Sequence, residues 1–133
     1  MRSGRYPVEL EQMIRVLLVD DEAAVRQGLR MRLELEPDLT VVGEAGDGIA
    51  AVKAAQAFDP DVIVTDVEMP KMDGITTIEW LREVNPSISA VVLSVYDDEE
   101  ARARARAAGA KAFVGKQEDV EHLLDVIRSV SKK

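Results

Sequence analysis

The chain contains no cysteine, which excludes a disulfide scaffold, a thiolate metal site and cysteine-based catalysis. Aromatic residues are only 4% of the 133 positions while apolar residues are 47%, so the core has to be aliphatic. No apolar run approaches membrane-spanning length. The opening residues, Met1-Arg2-Ser3-Gly4-Arg5-Tyr6-Pro7, lack the apolar segment of a signal peptide. Basic residues are outnumbered by acidic ones, 17 to 25, and the net charge of −8 disfavours direct nucleic-acid binding by this domain. These absences predict a cytoplasmic protein that binds neither membrane nor nucleic acid directly. The length suits one domain with a real core and no need of cross-links.

What is present is a strand–helix alternation repeated five times, with no low-complexity tract. Strands are predicted at about 14–19, 40–45, 62–66, 90–94 and 112–115. The first helix carries Val25, Leu29 and Leu33 four apart and ends before Pro37. The second lies near 48–57, with Ile49, Val52 and Ala55 on one face. A third spans about 74–84, and a fourth about 98–108 with Gly109 as its stop. The last carries Val120, Leu123, Leu124, Ile127 and Val130 at helical spacing. Residues 1–13 fall outside the scheme as an extension, either a tail or a short extra helix around Val8–Met13. The domain proper covers 14–131, and 132–133 are a tail or the start of a linker. Such alternation implies a parallel sheet with helices on both faces and right-handed crossovers. Ligands of open sheets bind beyond the carboxyl ends of the strands at the switch point. For strand order 2-1-3-4-5 that point lies between strands 1 and 3.

Carboxylates stand at that point. Ile14-Arg15-Val16-Leu17-Leu18-Val19 runs into Asp20-Asp21, and Val62-Ile63-Val64-Thr65 runs into Asp66. If the two strands are parallel neighbours, these side chains converge. At about 4 Å each like-charge pair repels by a few kcal/mol even at an effective dielectric near 20. A bound cation or proton has to resolve such a cluster. Oxygen-only ligands suit a hard divalent metal. Two further polar residues close strands: Ser94 after Ala90-Val91-Val92-Leu93, and Lys116 after Ala112-Phe113-Val114-Gly115.

With the stretch Asp66-Val67-Glu68-Met69-Pro70-Lys71-Met72-Asp73-Gly74, this set resembles the receiver domain of bacterial two-component response regulators. Val41-Val42-Gly43-Glu44-Ala45-Gly46-Asp47-Gly48 and Leu93-Ser94-Val95-Tyr96 look most like receivers that precede a helix-turn-helix DNA-binding domain. The resemblance implies a single-domain, flavodoxin-like (βα)5 doubly wound sheet in the order 2-1-3-4-5. It implies that Asp66 takes a phosphoryl group from a sensor histidine kinase and that the domain then switches conformation to control an output, as a signalling switch rather than a turnover enzyme. An aspartate is ionised at neutral pH and needs no general base for this. Mg²⁺ is then expected on Asp21, Asp66 and the backbone carbonyl of Glu68, with Asp20 acting through a bound water. Lys116 is expected to pair with phosphoryl oxygens, Ser94 to donate a hydrogen bond to the group once it arrives, and Phe113 to turn into the space that Ser94 vacates. Glu68 and Tyr96, two residues beyond Asp66 and Ser94, are expected to tune the phosphoryl lifetime. Homodimerisation on phosphorylation and control of transcription complete what the resemblance implies.

Each feature also has a plainer explanation. Asp20-Asp21 alone could cap a helix, a strand-end serine often bonds nearby backbone, and Phe113 on a strand is most simply core. Asp73-Gly74 is assigned to the turn into the third helix, Trp80 to packing, and the lone His122 to an exposed helix face. Arg102, Arg104 and Arg106 read as a solvated face, with Asp98→Arg102 and Glu100→Arg104 at i,i+4 spacing. The fourth helix, Ala101-Arg102-Ala103-Arg104-Ala105-Arg106-Ala107-Ala108, offers no large apolar side chain and is predicted to be loosely held. Many receivers follow the lysine with proline or an acid, whereas this chain has Gln117. Competing functions are a phosphorylation-independent or stand-alone receiver acting as an interaction module, an aspartate-nucleophile phosphatase, and an FMN carrier. The phosphatase needs a second acid where Asp66-Val67-Glu68 has Glu68, and a cap domain. The flavin carrier needs a phosphate cradle where Asp20-Asp21-Glu22 repels phosphate.

Overall fold

The computed structural model describes residues 12–67, 73–95 and 97–132. Its elements follow the alternation: β1 (Ile14–Val19), α1 (Ala23–Leu33), β2 (Leu39–Ala45), α2 (Gly48–Phe58), β3 (Val62–Asp66), α3 (Gly74–Val84), β4 (Ser89–Ser94), α4 (Glu99–Ala108), β5 (Ala112–Gly115) and α5 (Val120–Val130). The strands form one parallel sheet in the order β2-β1-β3-β4-β5, a flavodoxin-like fold as expected. Among the described residues no helix is long and apolar enough to cross a membrane. Predicted strand and helix limits hold to within a residue, and Gly109 ends α4 at φ 113° with its N–H returned to Ala105 and Arg106.

Successive strand residues point to opposite faces, and this sorts the core into two layers. Val16, Leu18, Val62, Val64, Val91, Leu93 and Val114 face α1 and α5, meeting Leu33, Leu123, Leu124 and Ile127. Leu17, Val19, Ile63, Ala90 and Val92 face α2, α3 and α4. Every residue of β3 and β4 is buried, as central strands covered on both sides require. The β1–β2 register slips between Val16 and Leu17, so that Val42 is passed over and Leu17 pairs with Gly43. A β-carbon at Gly43 would stand 3.0 Å from the Phe58 ring, which lies across that strand.

Four helices start on an aspartate whose carboxylate accepts a main-chain N–H three residues on: Asp47, Asp73, Asp98 and Asp119. Helix α1 alone has no side-chain cap.

Three expectations need correction. The buried stripe of α2 is Gly48, Ala51 and Ala55, while Ile49 is 45% exposed. Small side chains let this helix lie close to the sheet, so its inner face is not the one its larger residues mark. Trp80 is 50% exposed, because Gly74, Thr77, Ile78 and Leu81 are the residues that α3 turns inward. Asp98 is occupied as the cap of α4, and Arg102 pairs with Asp97 instead. His122 is exposed as expected, with Glu118 3.4 Å from its Nε2.

Candidate functional site

Strands β1 and β3 are hydrogen-bonded neighbours with Val19 opposite Thr65, so the next residues, Asp20 just past β1 and Asp66 at the last position of β3, stand side by side. Carboxylate oxygens of Asp20, Asp21 and Asp66 all lie within 4.8 Å of one another. Asp20 is 2% and Asp66 9% exposed, while Asp21 faces solvent. Three acids so placed and offering only oxygen form a donor set suited to a hard divalent cation, and the exposed Asp21 leaves it an approach from solvent.

The cluster already holds one positive charge. Lys116 leaves β5 and brings Nζ to 2.9 Å from Asp20 Oδ2 and 3.4 Å from Asp66 Oδ2. Its own N–H donates to the Ser94 carbonyl at 2.7 Å, which ties it to the end of β4. Burial disfavours its charged form, but the hydrogen bond to Asp20 and the charge of Asp66 outweigh this and raise its pKa above the ordinary lysine value. Lys116 therefore stays a cation across the physiological range.

Asp20 is satisfied at every polar atom. Its N–H donates to Ala45 O at 3.1 Å, and its carbonyl accepts from Arg26 Nη1. Oδ1 accepts from the Glu22 N–H at 2.9 Å, and Oδ2 accepts from Lys116. An acid held so firmly is a fixed wall of the site. Asp21 is the exposed member.

Asp66 is seated by two neighbours that the sequence did not single out. Thr65, fully buried, donates through Oγ1 to the Asp66 carbonyl at 3.0 Å. Gly74 presses against the same carbonyl, since a β-carbon there would stand 2.1 Å from Asp66 O, far inside any non-bonded carbon–oxygen contact. Its N–H donates to Val67 O at 2.8 Å. Asp73-Gly74 thus does more than start α3: Asp73 caps the helix, and Gly74, lacking a β-carbon, lets the first residue of α3 lie against the Asp66 carbonyl. The adjacent Asp-Gly pair, eight residues past Asp66, was the only signal for it.

Ser94 is buried at the end of β4 and pairs with Gly115 in the β4–β5 register, one residue before Lys116. Beside it opens a cavity of about 170 Å³ that Val67, Ile75, Asp98, Ala101 and Arg104 also line. Phe113 on β5 is half-buried, and the Arg102 guanidinium lies 4.8 Å from its ring centroid. The structure thus brings Asp20, Asp21, Asp66 and Lys116 into one cluster and sets Ser94 on the adjoining strand end. Glu68 and Tyr96 lie outside the described residues, as do residues 1–11.

The family model of the response regulator receiver domain matches residues 16–128. The nitrate/nitrite response regulator protein NarL of Escherichia coli is 37% identical over 116 residues, which are 87% of this chain and 54% of NarL. The transcriptional regulatory protein LiaR of Bacillus subtilis is 41% identical over 121 residues, 90% of this chain and 57% of LiaR. The chain thus spans about half the length of these curated relatives. Among solved structures, the isolated receiver of RcsB from Salmonella enterica, in the presence of a phosphomimetic beryllium fluoride, superposes with a TM-score of 0.80 at 28% identity, covering 91% of this chain and 92% of that one.

Proposed function

The chain belongs to the response regulator receiver domain family of two-component systems, close to the NarL type, and on that footing we propose that Asp66 is its phosphoryl acceptor. The observation that carries this reading is the convergence of Asp20, Asp21, Asp66 and Lys116 from three strand ends into one pocket. A carboxylate oxygen of Asp66 forms a bond to phosphorus while the phosphorus–nitrogen bond of a kinase phosphohistidine breaks, and the imidazole leaves with the electron pair. A carboxylate nucleophile, here seated by Thr65 and Gly74, needs no base.

Asp21, Asp66 and the Glu68 carbonyl would hold Mg²⁺, with Asp20 reaching it through water. When bound, the ion neutralises charge on the phosphoryl oxygens. Lys116 exchanges its contact with Asp66 for one with an incoming phosphoryl oxygen while keeping Asp20. Ser94 donates to the arriving group, and Phe113 follows it inward, which alters the surface formed by α4, β5 and α5. That surface governs homodimerisation and, in a longer protein of the NarL kind, transcription in the cytoplasm. The domain is a switch that a sensor histidine kinase sets, and it promotes only its own phosphorylation and dephosphorylation. Glu68 and Tyr96 tune the lifetime of the phosphoryl group, so Glu68→Ala or Tyr96→Ala alters its decay rate, and equal decay in wild type and both variants refutes that role.

The deciding measurement is intact mass after incubation with Mg²⁺ and acetyl phosphate. The expected outcome is a metal-dependent gain of one phosphoryl group, lost in Asp66→Ala. No gain, and no response to beryllofluoride, would make the domain a phosphorylation-independent interaction module.

A further inference from the structure

Arg26 on α1 reaches back and donates through Nη1 to the main-chain carbonyl of Asp20. Its Nε lies 3.2 Å from Glu44 Oε1 on β2, and Glu44 Oε2 in turn takes Nη1 of Arg30 at 2.6 Å. Arg26 and Glu44 are both largely buried at the side chain, 20% and 23% exposed. The hydrogen bond from Arg30, outweighing burial and supplemented by Arg26, holds the Glu44 carboxyl below its ordinary range and therefore ionised. A fixed carboxylate on the sheet thus braces a guanidinium whose other end is on the acidic site.

Two facts give this brace a purpose. The peptide unit is planar, so whatever holds the Asp20 carbonyl also sets the direction in which the Asp21 N–Cα bond departs. Asp21 is the exposed acid of the cluster, and Asp20 is already fixed by Ala45, Glu22 and Lys116. Secondly, α1 begins immediately after Asp20-Asp21-Glu22 and is the helix without a side-chain cap. Its first turn is joined to the end of β1 through Arg26 rather than through a capping carboxylate. We propose that Arg26, braced by Glu44, is a positioning residue that orients the Asp20–Asp21 peptide and so sets the affinity of the acidic cluster for a divalent cation.

The inference rests on the metal reading of the site, and charge makes its test sharp. By Coulomb attraction alone, removing a cation beside the cluster strengthens Mg²⁺ binding; removing a positioning contact weakens it. Titration calorimetry of the full chain with magnesium chloride, beside thermal unfolding of the metal-free protein, separates the two. Arg26→Gln is expected to weaken Mg²⁺ binding by about tenfold, the size typical of lost contacts behind a metal ligand. Its metal-free unfolding midpoint should fall by no more than about 8 °C, which leaves the protein folded during the titration, and Arg26→Lys should recover part of the affinity. Glu44→Gln, which leaves Arg26 in place but unbraced, should also weaken binding, and the double variant should be no worse than Arg26→Gln alone. Binding by Arg26→Gln as tight as wild type, or tighter, overturns the inference. Should Arg26→Gln fail to fold, unchanged affinity in Glu44→Gln overturns it equally. Wild type that binds no Mg²⁺ overturns the proposed function, and this inference with it.

Discussion

Helices α4 and α5 flank the short strand β5 from opposite faces of the sheet and are held by very different means. Helix α5 buries Leu123, Leu124 and Ile127, each at most 2% exposed. Each such side chain contributes about 1.5–3 kcal/mol of apolar burial. Arg128 adds a two-pronged contact to Asp38 and another to Glu36, and the Val130 carbonyl accepts from Ser89 Oγ at 2.9 Å. Helix α4 buries only Ala105 and Ala108 among its described residues. A methyl group contributes about 0.8 kcal/mol. Further hold comes at the surface, where Arg102 lies over Phe113 and pairs with Asp97, and Arg82 of α3 donates to the Ala107 carbonyl at 3.4 Å. One helix is therefore a fixed wall and the other a lightly seated lid, and the lid borders the cavity beside Ser94. A phosphoryl group that pulls on Ser94 acts where the fold resists least.

The largest test of this contrast is a matched pair of truncations read by urea unfolding. Ile127→Ala should cost about 2–5 kcal/mol. Ala105→Gly should cost about 1–2 kcal/mol, nearly all of it helix propensity and one methyl. Equal losses would break the comparison. Hydrogen exchange sharpens it without a mutation. Amides in the middle of α4 should exchange at least about tenfold faster than those of α5, a gap of about 1.4 kcal/mol in local opening. Equal protection would mean that α4 is held by something other than its alanines.

Much of this was legible in the chain, for identifiable reasons. Strand ends are marked by where an apolar run stops, so Asp20, Asp21, Asp66, Ser94 and Lys116 could be placed before any coordinates. The alanine-only interior of α4 likewise predicted how little that helix buries, which is Ala105 and Ala108. Other features depend on contacts that no local pattern encodes. Gly74 is required by a carbonyl eight residues away, and only the folded chain brings the two together. Arg26 reads as one more charge on a helix until Glu44 on a neighbouring strand fixes it over Asp20. On the predicted inner face of α2, Ala55 is buried and Val52 packs against the core, but Ile49 was included for its size and is exposed, while Ala51 packs inward. The partner of Arg102 was misread because helix capping had the stronger claim on Asp98.

That last misreading leads to the smallest expected effect. Held by Asp97, Arg102 lies with its guanidinium 4.8 Å from the Phe113 ring centroid, so a residue of the loose helix rests on the residue expected to move. A cation over a partly exposed aromatic ring is worth about 0.5–1 kcal/mol. Against the whole domain that is a small part, and the urea midpoint of Arg102→Ala should fall by less than about 1 M. Against the local opening of α4 it matters, because so little else holds that helix. Exchange of α4 amides should therefore accelerate about two- to fivefold in Arg102→Ala, the same energy expressed as a rate ratio. Helix α5, on the far face of the sheet, should exchange as in wild type. Acceleration in both helices would mean that Arg102 supports the sheet as a whole. No acceleration in α4 would mean that neither contact of Arg102, with Asp97 or with Phe113, holds that helix, and would leave Phe113 free to turn without α4.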